Sequence, residues 1–214
     1  MLRKSMLFAF FVLAALLIST PAEQADAAPT LQVGSTVGDV WDLQFRLNIL
    51  GYYPQKPDGV YGSDTAQAVR RFQSAYGLQA DGVTGQQTWK VLKRVSVNKK
   101  EFEVLAKIIN GEARGESYTG QVAVGAVVMN RVMSSQFPNN VIGVVFEPRA
   151  FTAIDDGQYW LTPNSSAYRA AIDAVRGWDP TGGALFYFNP ETATSRWIWS
   201  RPQIVRIGKH IFCE

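Results

Sequence analysis

The residue types best placed for chemistry in this chain are a few carboxylates, a lone histidine and a lone cysteine. Glu112 stands apart, because Phe102, Leu105, Ile109 and Glu112 follow one another at spacings of three, four and three. A helix there carries the carboxylate on its apolar stripe. Burial disfavours the ionised form and raises the pKa, and the negative end of the helix macrodipole pushes the same way. A carboxyl group kept protonated near neutral pH is what a general acid requires. Gly111 and Gly115 flank it and leave room for a close approach, while Arg114 and Glu116 supply rim charges. The same pattern also suits a structural carboxylate held by a buried arginine or a backbone amide.

His210 is the only histidine and Cys213 the only cysteine. An intramolecular disulfide is excluded, a hydrolytic zinc site lacks its usual set of ligands, and His210 with Cys213 reads as a structural pair. One reaction that a single acid serves is cleavage of a glycosidic bond, where protonating the bridging oxygen eases departure of the leaving group. If the sugar's own 6-hydroxyl attacks, one glutamate is acid and then base; a conventional hydrolase would recruit Glu116, Asp155 or Asp156 as partner. Aromatic residues are frequent in the second half. Tyr187, Trp197 and Phe151 are expected in a groove, and Phe146 and Phe186 in the core.

The elements that must position these residues follow from the rest of the 214-residue sequence. Arg3 and Lys4 precede an apolar run from Met6 to Ile18, then Ala25-Asp26-Ala27, the pattern of a secretory leader over 1–27. About 187 residues follow, starting near Ala28. The formal charge of +3 belongs to that mature part, a weak field suited to an anionic polymer and too dispersed for nucleic acid.

Asp58-Gly59-Val60-Tyr61-Gly62 with Thr65 recurs as Asp81-Gly82-Val83-Thr84-Gly85 with Thr88. Each copy is a tight turn opening a helix, with Ala68, Val69 and Phe72 after the first and Trp89 and Leu92 after the second. Val40, Leu43, Leu47 and Leu50 form an earlier amphipathic helix, stopped by Gly51. The spacing therefore predicts a three-helix bundle over 34–94 and a polar connector over 95–100. Over 101–214 it predicts a helix through Phe102 and Ile109, an all-apolar central helix over about 119–134, and a third over about 165–176 capped by serines. Leu185-Phe186-Tyr187-Phe188, Trp197-Ile198-Trp199 and Ile204-Val205-Arg206-Ile207 have β texture, so the class is α+β.

Two resemblances rest on these residues. Residues 39–92, with Leu43-Gln44, Leu50-Gly51-Tyr52-Tyr53, both Asp-Gly-Val-x-Gly turns and Phe72-Gln73, resemble the peptidoglycan-binding module of wall hydrolases. Residues 101–214 resemble the catalytic domain of spore cortex-lytic enzymes, the SleB/CwlJ family. Asn110 to Glu116, Gly120-Gln121-Val122, Asn130-Arg131-Val132, Phe137-Pro138, Tyr187-Phe188-Asn189-Pro190 and Ile207-Gly208-x-His210-x-Phe212 carry the likeness. A leader followed by a binding module is similar to the SleB branch.

That resemblance implies a reduced lysozyme-like fold and lytic transglycosylase activity on cortex peptidoglycan containing muramic δ-lactam, with Glu112 as the acid. Beside it, substrate contacts are expected from Glu116, Gln121, Phe151, Tyr187, Asn189 and Trp197, and no metal or other cofactor is expected. The resemblance further implies secretion, a place in the spore cortex and inner spore membrane region, no transmembrane segment after leader removal, and a stabilising partner of the YpeB type. One departure is the short connector, which bears on how freely the binding module moves. Three readings stay open on residues alone: a transglycosylase or conventional muramidase, a stem-peptide amidase or peptidase, and a non-catalytic wall-binding protein.

Overall fold

The computed structural model describes residues 28–36 and 38–214; the leader expected over 1–27 lies outside them. The first unit is three helices, α1 (Gly38–Ile49), α2 (Ser63–Ala75) and α3 (Gln86–Val95). Leu43, Leu47, Tyr61, Phe72, Trp89 and Leu92 form its centre. In the repeated turns Gly59 and Gly82 both have φ of +76°, a conformation that a side chain rarely adopts.

A buried glutamine organises each turn. Gln44 Oε1 accepts from the amides of Asp58 and Gly59 at 2.9 Å, and its Nε2 donates to Asp58 Oδ1 and Thr65 Oγ1. Gln73 repeats this with the Gly82 amide, Asp81 Oδ1 and Thr88 Oγ1. The sequence repeat is thus a repeated hydrogen-bond cassette, in which a buried amide is tolerated because its partners are present.

The second unit contains α4 (Lys99–Ala113), α5 (Tyr118–Met133), α6 (Val141–Val145), α7 (Thr152–Asp155), a 3-10 turn (Gln158–Trp160), α8 (Ser165–Val175), β1 (Phe186–Phe188), α9 (Arg196–Trp199), β2 (Gln203–Ile207) and β3 (His210–Cys213). Asn98 and Glu101 close a reciprocal capping box at the start of α4. α5 is buried without a break from Gly120 to Val128. Valine costs a helix less than about 0.7 kcal/mol in propensity. Burying each of Val122, Val124, Val127 and Val128 is worth about 1.5–3 kcal/mol, so burial decides the conformation. α4 and α8 pack against this central helix and against each other.

The sheet has the order β1-β3-β2, antiparallel throughout. Its Phe212 packs against Ala123 and Val127 of α5. Asn130 and Arg131, at the end of α5, donate to the carbonyls of Ala184 and Leu185 and so fix the chain entering β1.

Three expectations need correction. Trp197-Ile198-Trp199 lies in the short helix α9 rather than a strand, with Ile198 alone turned inward. α8 is capped by Asn164, whose Oδ1 accepts from the Ala167 amide at 2.8 Å, instead of by the serines behind it. Phe146 is 43% exposed and is not core.

The two units share packing. Of the segment 95–100, Val95 closes α3 and Lys99 and Lys100 open α4, leaving only Ser96, Val97 and Asn98 between helices. Phe45 of α1 lies edge-on to Phe102 of α4 at 5.8 Å. Arg46 Nη1 donates to the Ser96 carbonyl at 3.3 Å, and Arg176 Nε to the Ile49 carbonyl at 2.7 Å.

Candidate active site

Glu112 sits in the last turn of α4, half-buried, at the floor of a cleft of about 600 Å³. Two donors from distant segments meet its carboxylate. The Ala153 amide, in the first turn of α7, donates to Oε1 at 2.7 Å, and the Tyr187 hydroxyl, in the middle of β1, donates to Oε2 at 2.9 Å. Gly111 makes the first contact possible. A Cβ there would stand 2.7 Å from Ala153 Cβ, so only glycine lets α4 approach α7 this closely. The close approach expected at Gly111 is therefore made by the chain's own backbone, not by a substrate.

Burial is the main influence on Glu112 and pushes its pKa up, with the charge of Asp156 adding to it; the Ala153 amide, the Tyr187 hydroxyl and Arg131 pull it back. The net shift is upward. A carboxyl placed between those pressures can be protonated in one step and stabilised as a carboxylate in the next. Burial, then the charge of Glu112, raise Tyr187 well above the ordinary phenol range, so it remains a donor.

His210, expected only as a structural partner of Cys213, also lines the cleft, its ring 5.2 Å edge-on from Tyr187. Burial lowers its pKa, although Glu116 opposes the change, so the ring is neutral at pH 7. Cys213 is fully buried on the same strand. The remaining wall combines the polar residues Thr152, Asn189, Thr192, Thr194 and Ser195 with Phe188 and Ala193. The cluster of small hydroxyl residues between two aromatic segments is the trace these leave in the sequence.

The other expected site residues separate. Tyr187 and Asn189 line the cleft; Asn189 also accepts from the Glu191 amide at 2.9 Å and shapes the loop after β1. Trp197, 53% exposed, lines an adjoining cavity that shares Tyr187 and Ser195 with the cleft. Phe151 and Gln121 are 3% and 5% exposed, too enclosed to touch a polymer lying in the cleft. Phe151 instead packs on Tyr187 from beneath, ring centres 6.5 Å apart. Gln121 Nε2 donates to the Glu116 carbonyl at 3.2 Å. Glu116 itself turns away, its Oε2 accepting from the Lys209 amide at 3.3 Å and tethering the β2–β3 hairpin. Among the described residues no three His, Cys, Asp or Glu side chains gather as a metal-binding group.

A family model described as Cell Wall Hydrolase matches residues 115–213, beginning three residues after Glu112, and a peptidoglycan binding domain model matches residues 36–92. The spore cortex-lytic enzyme of Bacillus cereus is 44% identical over 250 aligned residues, covering 98% of this chain and 96% of that protein. Among solved structures, the catalytic domain of the Bacillus cereus SleB protein is similar at a TM-score of 0.53 and 61% identity, over 56% of this chain and 93% of that one. The catalytic domain of the germination-specific lytic transglycosylase SleB from Bacillus anthracis gives a TM-score of 0.53 and 62% identity, over 55% and 96%.

Proposed function

The chain belongs to the family of spore cortex-lytic enzymes, which act on peptidoglycan, and from that premise we propose that it is a lytic transglycosylase. It cuts cortex glycan strands between muramic acid and N-acetylglucosamine during germination and leaves an anhydro-muramic end. The observation that carries this reading is that Glu112 is the one carboxylate lining its cleft.

Protonated Glu112 gives its proton to the bridging oxygen as the bond from the muramic anomeric carbon breaks. The N-acetylglucosamine leaves with a free 4-hydroxyl. Glu112, now a carboxylate held by the Ala153 amide and the Tyr187 hydroxyl, takes the proton of the muramic 6-hydroxyl as that oxygen closes on the anomeric carbon. No water is consumed and the acid is regenerated. Asn189, Thr192, Thr194 and Ser195 offer hydrogen bonds to sugar hydroxyls, and the exposed face of Trp197 offers a stacking surface.

The alternative, a conventional muramidase, has one observation in its favour: Asp156 acts electrostatically on Glu112 and could orient a water. Loss of glycan cleavage in Glu112→Gln, with the fold intact by circular dichroism, tests the role of Glu112 in both reactions. Full retention of cleavage would place the chemistry at another centre, and absence of cleavage in the wild type would leave only a binding protein.

In this reading residues 34–94 hold the polymer, 101–214 cut it, and 1–27 direct export. The family resemblance carries the further parts of the proposal: a YpeB-type protein that stabilises the enzyme in the dormant spore, and residence near the inner spore membrane. Among the described residues no helix is long and apolar enough to cross a membrane.

A further inference from the structure

Arg131, in the last turn of α5, is 6% exposed, yet neither ion pair among the described residues involves it. Its guanidinium carbon lies 5.2 Å from the ring centre of Phe137, 5.0 Å from that of Phe151 and 5.3 Å from that of Phe186. Nε donates to the Leu185 carbonyl at 2.7 Å, which uses one of five N–H groups. No nitrogen of Arg131 is both enclosed and unpaired, so its remaining donors open on the cavity of about 350 Å³ that it lines.

That cavity adjoins the Glu112 cleft across Tyr187 and Ser195. Its surroundings are mostly cationic. Arg149 lines it from a backbone at φ +62°, and Arg201 lies 5.0 Å over Phe186 and 5.3 Å over Trp197. Glu147 is the one acidic residue in its wall. A desolvated guanidinium whose aromatic cage fixes its plane, and whose free edge faces open space, is arranged for an acceptor that arrives from outside.

We infer that the cavity beside Arg131 is a substrate subsite for a carboxylate, with Arg131 as its principal donor. This rests on the reading that the chain cleaves glycan strands. In such strands the free carboxylates are those of the stem peptide, because the lactyl carboxyl of muramic acid is itself the amide link to that peptide or is closed into the lactam.

The test compares three soluble strand preparations with the whole protein: peptide-bearing, the same with carboxylates converted to methylamides, and peptide-free strands keeping the lactyl carboxylate. Wild type is expected to show a KM about tenfold higher or more on the amidated strands, with kcat nearly unchanged. Arg131→Lys keeps the charge and loses the fork. It is expected to raise KM about tenfold on carboxylate strands and not on amidated ones, so that the KM preference collapses, while any loss of kcat from the broken Leu185 contact is shared by all strands. Peptide-free strands, whose carboxylate sits at the lactyl position and not on a stem, are expected to bind like the amidated ones; a KM as low as on native strands would overturn the stem-peptide assignment. Arg149→Gly, at an exposed position that favours glycine, gives a second reading if Arg131→Lys fails to fold, and is expected to shrink the native-to-amidated ratio about threefold.

Equal KM on native and amidated strands in the wild type overturns the subsite. So does an Arg131→Lys variant that loses kcat on every strand and keeps the wild-type ratio of native to amidated KM, which is the signature of a purely structural role. The products are read separately: anhydro ends without carboxylate preference sink the subsite alone, and reducing ends with that preference sink the proposed reaction alone.

Discussion

Tyr187 Oη stands 2.9 Å from Glu112 Oε2, a hydrogen bond that joins β1 to the end of α4 across 75 residues of sequence. The donor favours the carboxylate form of Glu112, against the burial that favours the acid. Tyr187→Phe keeps the ring and removes only that donor. The pKa of Glu112 then rises further, so the alkaline fall of kcat moves to higher pH, and kcat at its optimum drops about tenfold as the carboxylate of the second half-reaction loses a partner. A pH–rate profile on soluble strands measures both; an unmoved alkaline limb would separate Tyr187 from the titration.

The raised pKa of Glu112 also has a consequence for stability. The folded state holds its proton more tightly than the unfolded chain, so the stabilisation is complete below the unfolded carboxylate value and fades as pH rises through the folded one. Glu112→Gln removes the buried charge, and Tyr187 can turn its hydroxyl to accept from the amide. The variant is expected to melt above wild type at pH 7 and to lose that advantage at pH 4. At the same time kcat falls by about 10² to 10⁴. Calorimetry at the two pH values checks the first; a variant less stable than wild type at pH 7 contradicts it.

Gly111→Ala drives a methyl group into Ala153, whose Cβ is 2.7 Å from the added carbon. Overpacking of this kind costs about 1–3 kcal/mol. The displaced α7 carries the Ala153 amide away from Glu112, and a misplacement of about 1 Å lowers kcat by roughly 10²-fold. Denaturant unfolding and steady-state kinetics report the two effects, and normal kcat in the variant would show that the amide contact is dispensable.

The junction between units predicts a single unfolding event. Phe45 and Ile49 of α1 belong to the apolar cluster of the second unit, and Arg176 ties that unit to the Ile49 carbonyl. Phe45→Asp buries an unpaired charge at this seam and is expected to split the calorimetric transition in two. A single transition in the variant would mean that the seam contributes little to coupling.

Much of the framework was legible in the residues, because it is written in local patterns. The α5 core follows from an uninterrupted apolar run, the glycine turns from their repetition, and Glu112 from its place on an apolar stripe. The partners of Glu112 were less accessible: Ala153 contributes a backbone amide, which no side-chain pattern marks. Arg131 was hidden in the opposite way, as a charge at the end of an apolar helix whose cage comes from three separate segments. Phe151 was misplaced for a related reason, since a phenylalanine beneath a groove and one within it have the same spacing. Trp197-Ile198-Trp199 has β-favouring residues but takes one helical turn, with backbone bonds from Ser200 to Arg196 and Trp197.

The most direct test of the central claim is mass spectrometry of muropeptides released from purified spore cortex by the protein and by Glu112→Gln. Anhydro-muramic products are expected from the wild type and none from the variant. Reducing-end products from the wild type would contradict single-carboxylate transglycosylation and turn attention to Asp156. Undiminished release by the variant would contradict the assignment of Glu112 itself.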